Sequence, residues 1–324
     1  MLIRNIKSRI VLLSLVAAVM LGAHFGPLYA EVTPREREAF LSAIEDTKRV
    51  AGPNKVCLDL LAIVPPPGWD RAWPEDPVNK SRLNGGKIAW EGTPGQSRVK
   101  VAAFMSREDY ESYYKDNLES GQPSYSLAKS LWVSVVPELR RHFIQPGTGT
   151  CPPSPKRVLK LLGLNPGRQY DVIVEMFVDP KDLFRPSPDP EITDHKAEIA
   201  VQDENGNWIF PSPFVQYATE PLYVSGPGKP AVSFRDWYTS NAIDAYDVDI
   251  DKGWGVPWTR LGYTYDWGNP RKRIGLSEFI IRVHPDPSGT GGAVTVKLVG
   301  AIKSYEDNGQ PANWNNYWRC GAKR

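Results

Sequence analysis

Residues 254–279 read WGVPWTRLGYTYDWGNPRKRIGLSEF. Trp254, Trp258, Tyr263, Tyr265 and Trp267 fall within fourteen residues, punctuated by Gly255, Pro257, Gly262 and Gly268. From Leu261 to Trp267 large apolar residues alternate with Gly262, Thr264 and Asp266, which is the period of a strand. Trp267-Gly268-Asn269-Pro270 then reads as a turn, because Gly accepts positive φ and Pro ends a ladder. Leu276 to Val283 reads as a second strand, making a hairpin with a long loop that carries Arg271, Lys272 and Arg273. The stretch decides the fold class for the second half of the chain: β-rich and antiparallel.

The five rings have two readings. They fill a core between sheets, or they form an aromatic platform that stacks on sugars or grips a partner, since Trp and Tyr join a large apolar body to a polar handle. The alternation places Tyr263 and Tyr265 inward and leaves Trp258 and Trp267, at the ends, the more accessible rings.

Working outward, PGTGTCPPSP at residues 146–155 is the best boundary in the chain. It divides an α+β region, 31–145, from a β-rich, sandwich-like domain, 156–324. In the first region Thr33 and Glu36 form a capping box around Pro34, opening a helix that Gly52-Pro53 closes. Val56 to Val64 and Arg98 to Phe104 read as strands, Ser106 and Asp109 cap a second helix, and Leu131 to Val136 is a strand or a helix end. In the second, Lys156 to Gly163 is a short helix and Tyr170 to Val178 a strand. A long proline-rich loop follows, Asn205-Gly206 makes a hairpin, and Ala293 to Tyr305 is a long final strand. The chain's 30 Pro and 27 Gly favour turns and short strands over long helices.

Residues 1–30 read as a secretory leader: Arg4, Lys7 and Arg9, an apolar run from Ile10 to Leu21, and a cleavage end at Ala30. No later run is apolar enough for a membrane span. The 39 Lys and Arg less these three, against 37 Asp and Glu, leave a net charge of −1, which gives no argument for nucleic acid. The chain is read as secreted or periplasmic, where disulfides persist. Of Cys57, Cys151 and Cys320, the favoured pair is Cys151–Cys320, with Cys57–Cys151 as the alternative.

Chemical signatures are sparse. There is no GxSxG, SxxK, HExxH, GxGxxG or P-loop, and no cofactor is called for. Asp194-His195 reads as a solvated loop pair. Asp247, Asp249 and Asp251 alternate as calcium ligands do, but Gly253 and Trp258 stand where that pattern needs other residues. Asp266 and Glu278 are the carboxylate pair for a sugar-cleaving site. The leading functional expectation is an exported, non-enzymatic binding or structural protein of the cell envelope, its partner a glycan or an envelope protein. The alternative is a secreted carbohydrate-active hydrolase.

Overall fold

The computed structural model describes residues 31–52, 55–63, 76–145, 147–211, 217–219, 221–224, 230–285, 292–318 and 320. The expected leader, residues 1–30, lies outside them, as do Trp69 and Trp73. The architecture is α+β, organised on one antiparallel sheet of seven strands.

Nine strands matter here: β1 Val99–Met105, β2 Ser124–Leu127, β3 Leu131–Val135, β4 Val172–Val178, β5 Leu183–Phe184, β6 Tyr263–Tyr265, β7 Ile274–Ser277, β8 Phe279–Ile281 and β9 Val294–Lys303. The large sheet runs β2-β9-β4-β1-β3-β8-β5, while β6 and β7 form a separate hairpin. β1, β2 and β3 precede residues 146–155 and the other four follow, so the two halves interleave in one sheet. The expected boundary therefore divides no sheet. Its Pro153 carbonyl accepts a hydrogen bond from Trp314 Nε1 at 2.7 Å, and Cys151 is disulfide-bonded to Cys320, Cα to Cα 5.6 Å. Within residues 147–155, Thr148 and Pro153 are buried, while Gly147, Gly149, Thr150, Pro152 and Ser154 are exposed.

Period-2 alternation gives the sheet two faces. Val99, Val101, Ala103 and Met105 on β1, Val133 and Val135 on β3, Val172 to Val178 on alternate positions of β4, and Phe279 and Ile281 on β8 all enter the main core. The opposite face carries Ala102, Phe104, Trp132, Ser134 and Ile173; Ala102 pairs with Ser134 and Phe104 with Ile173. That second face is where the site lies.

The helix Pro34–Val50 forms as its capping box requires, and Phe40, Ala43 and Ile44 bury its apolar stripe against Tyr265 and Trp267. The expected hairpin is also present, Tyr263 opposite Ser277 and Tyr265 opposite Ile274. The second strand is split at Glu278, however: β7 stays with the hairpin and β8 joins the large sheet. Gly262 has φ +73°, and a Cβ there would come within 2.5 Å of the Arg185 side chain, so only glycine fits this crossing.

Among the described residues of the expected Val56–Val64 strand, 56–63, only Val56 and Cys57 pair, with Glu198 and Ala197. Leu60 to Ile63 are fully buried, but their N–H groups go to the His195 carbonyl, Ser277 Oγ, Asn79 Oδ1 and the Ile192 carbonyl, not to a ladder. His195 is no solvated loop residue: its ring bridges the Leu60 carbonyl at 2.6 Å and Asp76 at 3.0 Å. Among the described residues no helix is long and apolar enough to cross a membrane.

Candidate functional site

A cavity of about 700 Å³ lies over the second face of the sheet. Ala102, Phe104, Trp132, Ser134 and Ile173 line its floor. The opposite walls come from residues 162–170, the end of the helix Phe234–Asp244, residues 253–258 and the hairpin. Asn165 holds two of these walls together: its Nδ2 donates to the Trp254 carbonyl at 2.6 Å and its Oδ1 accepts from Gly167 N–H at 2.8 Å. The Val256 N–H donates to the Ala245 carbonyl at 2.8 Å, docking the strip on the helix end. Gly255 has φ +79°, with the Val248 side chain 2.8 Å from where a Cβ would stand, so this wall also depends on a glycine.

Two rings stand at the mouth, Trp132 at 43% and Trp254 at 54% exposure. Inside, Trp258 is 4% exposed and meets Trp132 edge to face at 5.9 Å. Behind it Trp237 and Tyr238 pack on the same ring.

Glu278 is the chemically distinctive group. It is 8% exposed, and its Oε2 is buried with no hydrogen-bond partner. Burial alone pushes its carboxyl up to about 8, so it is mostly protonated at neutral pH. The break between β7 and β8 puts it on this wall; its own N–H donates to the Gly262 carbonyl at 2.9 Å. Trp258 Nε1 and Ser130 Oγ, on the same cavity, are likewise buried without partners. Three orphaned polar groups on one cavity are unusual, because buried donors and acceptors are nearly always satisfied. A carboxylic acid, an indole N–H and a hydroxyl can together offer two or three donors and two acceptors to a bound molecule.

The aromatic stretch is mostly interior. Trp258, Tyr263, Tyr265 and Trp267 are all buried, so Trp258 and Trp267 are not the accessible ends that the alternation suggests. Both strand faces are covered, since Thr264 and Asp266 are buried too. Trp267 packs on Phe40 at 5.6 Å and donates its indole N–H to the Leu164 carbonyl at 3.1 Å. Tyr263 faces Leu60 and Leu261 in a small cluster of its own. Tyr265 hydrogen-bonds Asp46 and Arg273. Of the five rings only Trp254 is exposed, and Trp254, Trp258 and Tyr265 line the cavity.

Asp266 and Glu278 are not brought to one cleft. Asp266 lines a second cavity, of about 600 Å³, between the helix Pro34–Val50 and the hairpin turn. There it is 0% exposed and held by both terminal nitrogens of Arg157, at 2.9 and 2.6 Å. Of the alternating aspartates, Asp249 is paired with Lys252 at 2.8 Å and Asp251 with Arg37 at 2.5 Å, while Asp247 stands exposed beside the main cavity. Among the described residues no three His, Cys, Asp or Glu side chains gather as metal ligands do.

Sequence reading missed Trp132, Ser130 and Ser134. β3 was legible only as a short apolar run, and nothing in LWVSV marks which face is open. The sequence names Glu278 as half of a pair with Asp266, and the two line different cavities.

No family model, no characterised protein and no solved structure matches the chain.

Proposed function

We propose that the protein is an exported binding protein whose ligand is a small, largely apolar molecule held in the main cavity through a polar head at Glu278. The observation that carries this reading is the unpartnered Glu278 carboxyl beside Trp258 and Ser130 on a cavity of about 700 Å³. Such volume and such a lining, apolar with a few convergent polar groups, are typical of small-molecule sites. An orphaned buried carboxyl costs folding free energy of order 1–3 kcal/mol, which a ligand that hydrogen-bonds it recovers. A glycan platform fits less well, because four of the five rings in 254–267 are interior. The hydrolase alternative is the weaker proposal: Asp266 is committed to Arg157 and faces another cavity.

The test is a fluorescence titration with N-phenylnaphthylamine, a neutral apolar probe. Saturable binding to the native protein, weakened at least about tenfold in a Ser134→Phe variant that fills the floor, supports the reading. Binding that Ser134→Phe leaves unchanged, or no saturable binding, overturns it.

A further inference from the structure

We propose that the cavity takes an organic cation, an apolar body bearing a protonated amine or a quaternary ammonium that pairs with Glu278. The inference rests on the cavity being a ligand site and names the ligand's class.

Charge distribution on the wall is the first argument. Asp109, Asp244, Asp247 and Glu278 carry carboxyls, against one guanidinium, Arg168. Arg168 is anchored on the wall by its Nε, which donates to the Gly253 carbonyl at 2.8 Å. An anionic ligand would meet three exposed carboxylates against a single guanidinium among the described lining residues. The aromatic rings are the second argument. Trp132 and Trp254 at the mouth and Trp258 within present indole faces, and indole is the ring that attracts cations most strongly. The mouth already holds one such contact, Lys252 Nζ lying 5.0 Å from the Trp254 ring centre. Exposed Asp244 and Asp247 beside these rings raise the local cation concentration. Glu278 is the third. It is the sole carboxyl that is deep in the cavity, and its Oε2 has no partner. A ligand ammonium supplies the counter-charge that a buried carboxylate requires.

The proton balance is explicit. In the free protein Glu278 is neutral, since burial raises its carboxyl to about 8. When an ammonium pairs with it, Glu278 O–H breaks, the proton leaves to solvent, and the carboxylate stays with the cation. Binding therefore releases close to one proton at pH 6–7, and affinity for the amine rises with pH up to about 8. Of the other ionisable groups, Asp109, Arg168, Tyr170, Asp244, Asp247 and Tyr265 line the same cavity, and Tyr263 on β6 lies within reach of the Glu278 charge. Arg82 and Glu138 lie behind Ser277, paired with each other at 2.8 Å. The two tyrosines of the hairpin sit well above this range, and Arg82 is held by both Glu138 and Asp59 away from the cavity lining, so the proton released comes from Glu278.

Calorimetry on the full chain with three probes of one shape tests this: naphthylmethylamine, naphthylmethanol and naphthylacetate. The amine should bind at least about tenfold tighter than the alcohol at pH 8, and the acetate weakest. Repeating the amine titration at pH 6.5 in buffers of different ionisation enthalpy should return close to one proton released. Glu278→Gln should abolish both the preference and the proton release. If the alcohol binds as well as the amine, or no proton is released by the native protein, the cation inference falls while the cavity reading stands. If none of the three binds, both fall.

Discussion

Trp132 and Trp258 meet edge to face, 5.9 Å between ring centres and 82° between planes. One comes from a sheet strand in the first half of the chain, the other from the aromatic stretch in the second. The contact joins the cavity's floor to its roof. It is also where exposure changes, from a ring at the mouth to one within.

The pair gives a first prediction. Trp258→Ala removes a buried ring that also packs on Trp237 and Tyr238, and should cost about 3–5 kcal/mol of stability. Trp254→Ala, at an exposed ring, should cost within about 0.5 kcal/mol. Urea melts of the two variants measure the difference. Trp254→Ala should nonetheless weaken amine probes severalfold, since its indole face stands at the mouth.

The second prediction concerns pH. A carboxyl with a folded value of about 8, against about 4.3 in the unfolded chain, keeps its proton longer in the fold. The folded state then binds more protons, and Glu278 contributes stability that is fully present below about pH 4 and is lost as pH rises toward 8. His142 acts in the opposite sense: burial lowers it to about 3, so its contribution is lost as pH falls from about 6.5 toward 3. Asp189, raised to about 6 mainly by burial, adds a smaller loss between about pH 4 and 6. Melts at pH 6 and pH 8 should therefore show the native protein losing more stability across that interval than Glu278→Gln. Parallel losses would show that Glu278 is ordinarily ionised.

How far was this legible in the sequence? Local signals carried well. The Thr33–Glu36 capping box, the Asn205-Gly206 turn and the alternation of Val294 to Lys303 are set by neighbouring residues, and each element forms. Pairing across the chain was not legible. β1 lies between β3 and β4, and no local pattern says that strands on both sides of residues 146–155 share a sheet. The cavity failed for the same reason. Ser134 on the floor and Glu278 on the wall become neighbours only through that pairing. Alternation also misread the rings, because β6 is covered on both faces, leaving its period without an outside.

A third prediction follows from Arg157 and Asp266. Arg157→Ala strands a fully buried carboxylate and should cost about 3–5 kcal/mol. Because this pair borders the second cavity, binding of N-phenylnaphthylamine by the folded variant should be unchanged. Loss of binding at native stability would mean that the two cavities act together.

The fourth concerns sulfur. The Cys151–Cys320 bridge spans 169 residues of sequence, and its reduction should lower stability by about 2–5 kcal/mol. Cys57 is buried, with its thiol pushed up to about 11 mainly by burial. A thiol reagent should therefore find no reactive group in the native protein and one after denaturation without reductant. One fast-reacting thiol in the native state would contradict this burial.

The central claim is a carboxyl with no partner facing a ligand cavity, and the titration of the Glu278 carboxyl carbon by NMR tests it most directly. The signal is assigned by its loss in Glu278→Gln, then followed with pH, with and without saturating N-phenylnaphthylamine. The account predicts a midpoint near 8 in the free protein, moved further upward when the neutral probe excludes water from the cavity. A midpoint in the ordinary carboxylate range, or one that the bound probe leaves in place, would contradict it.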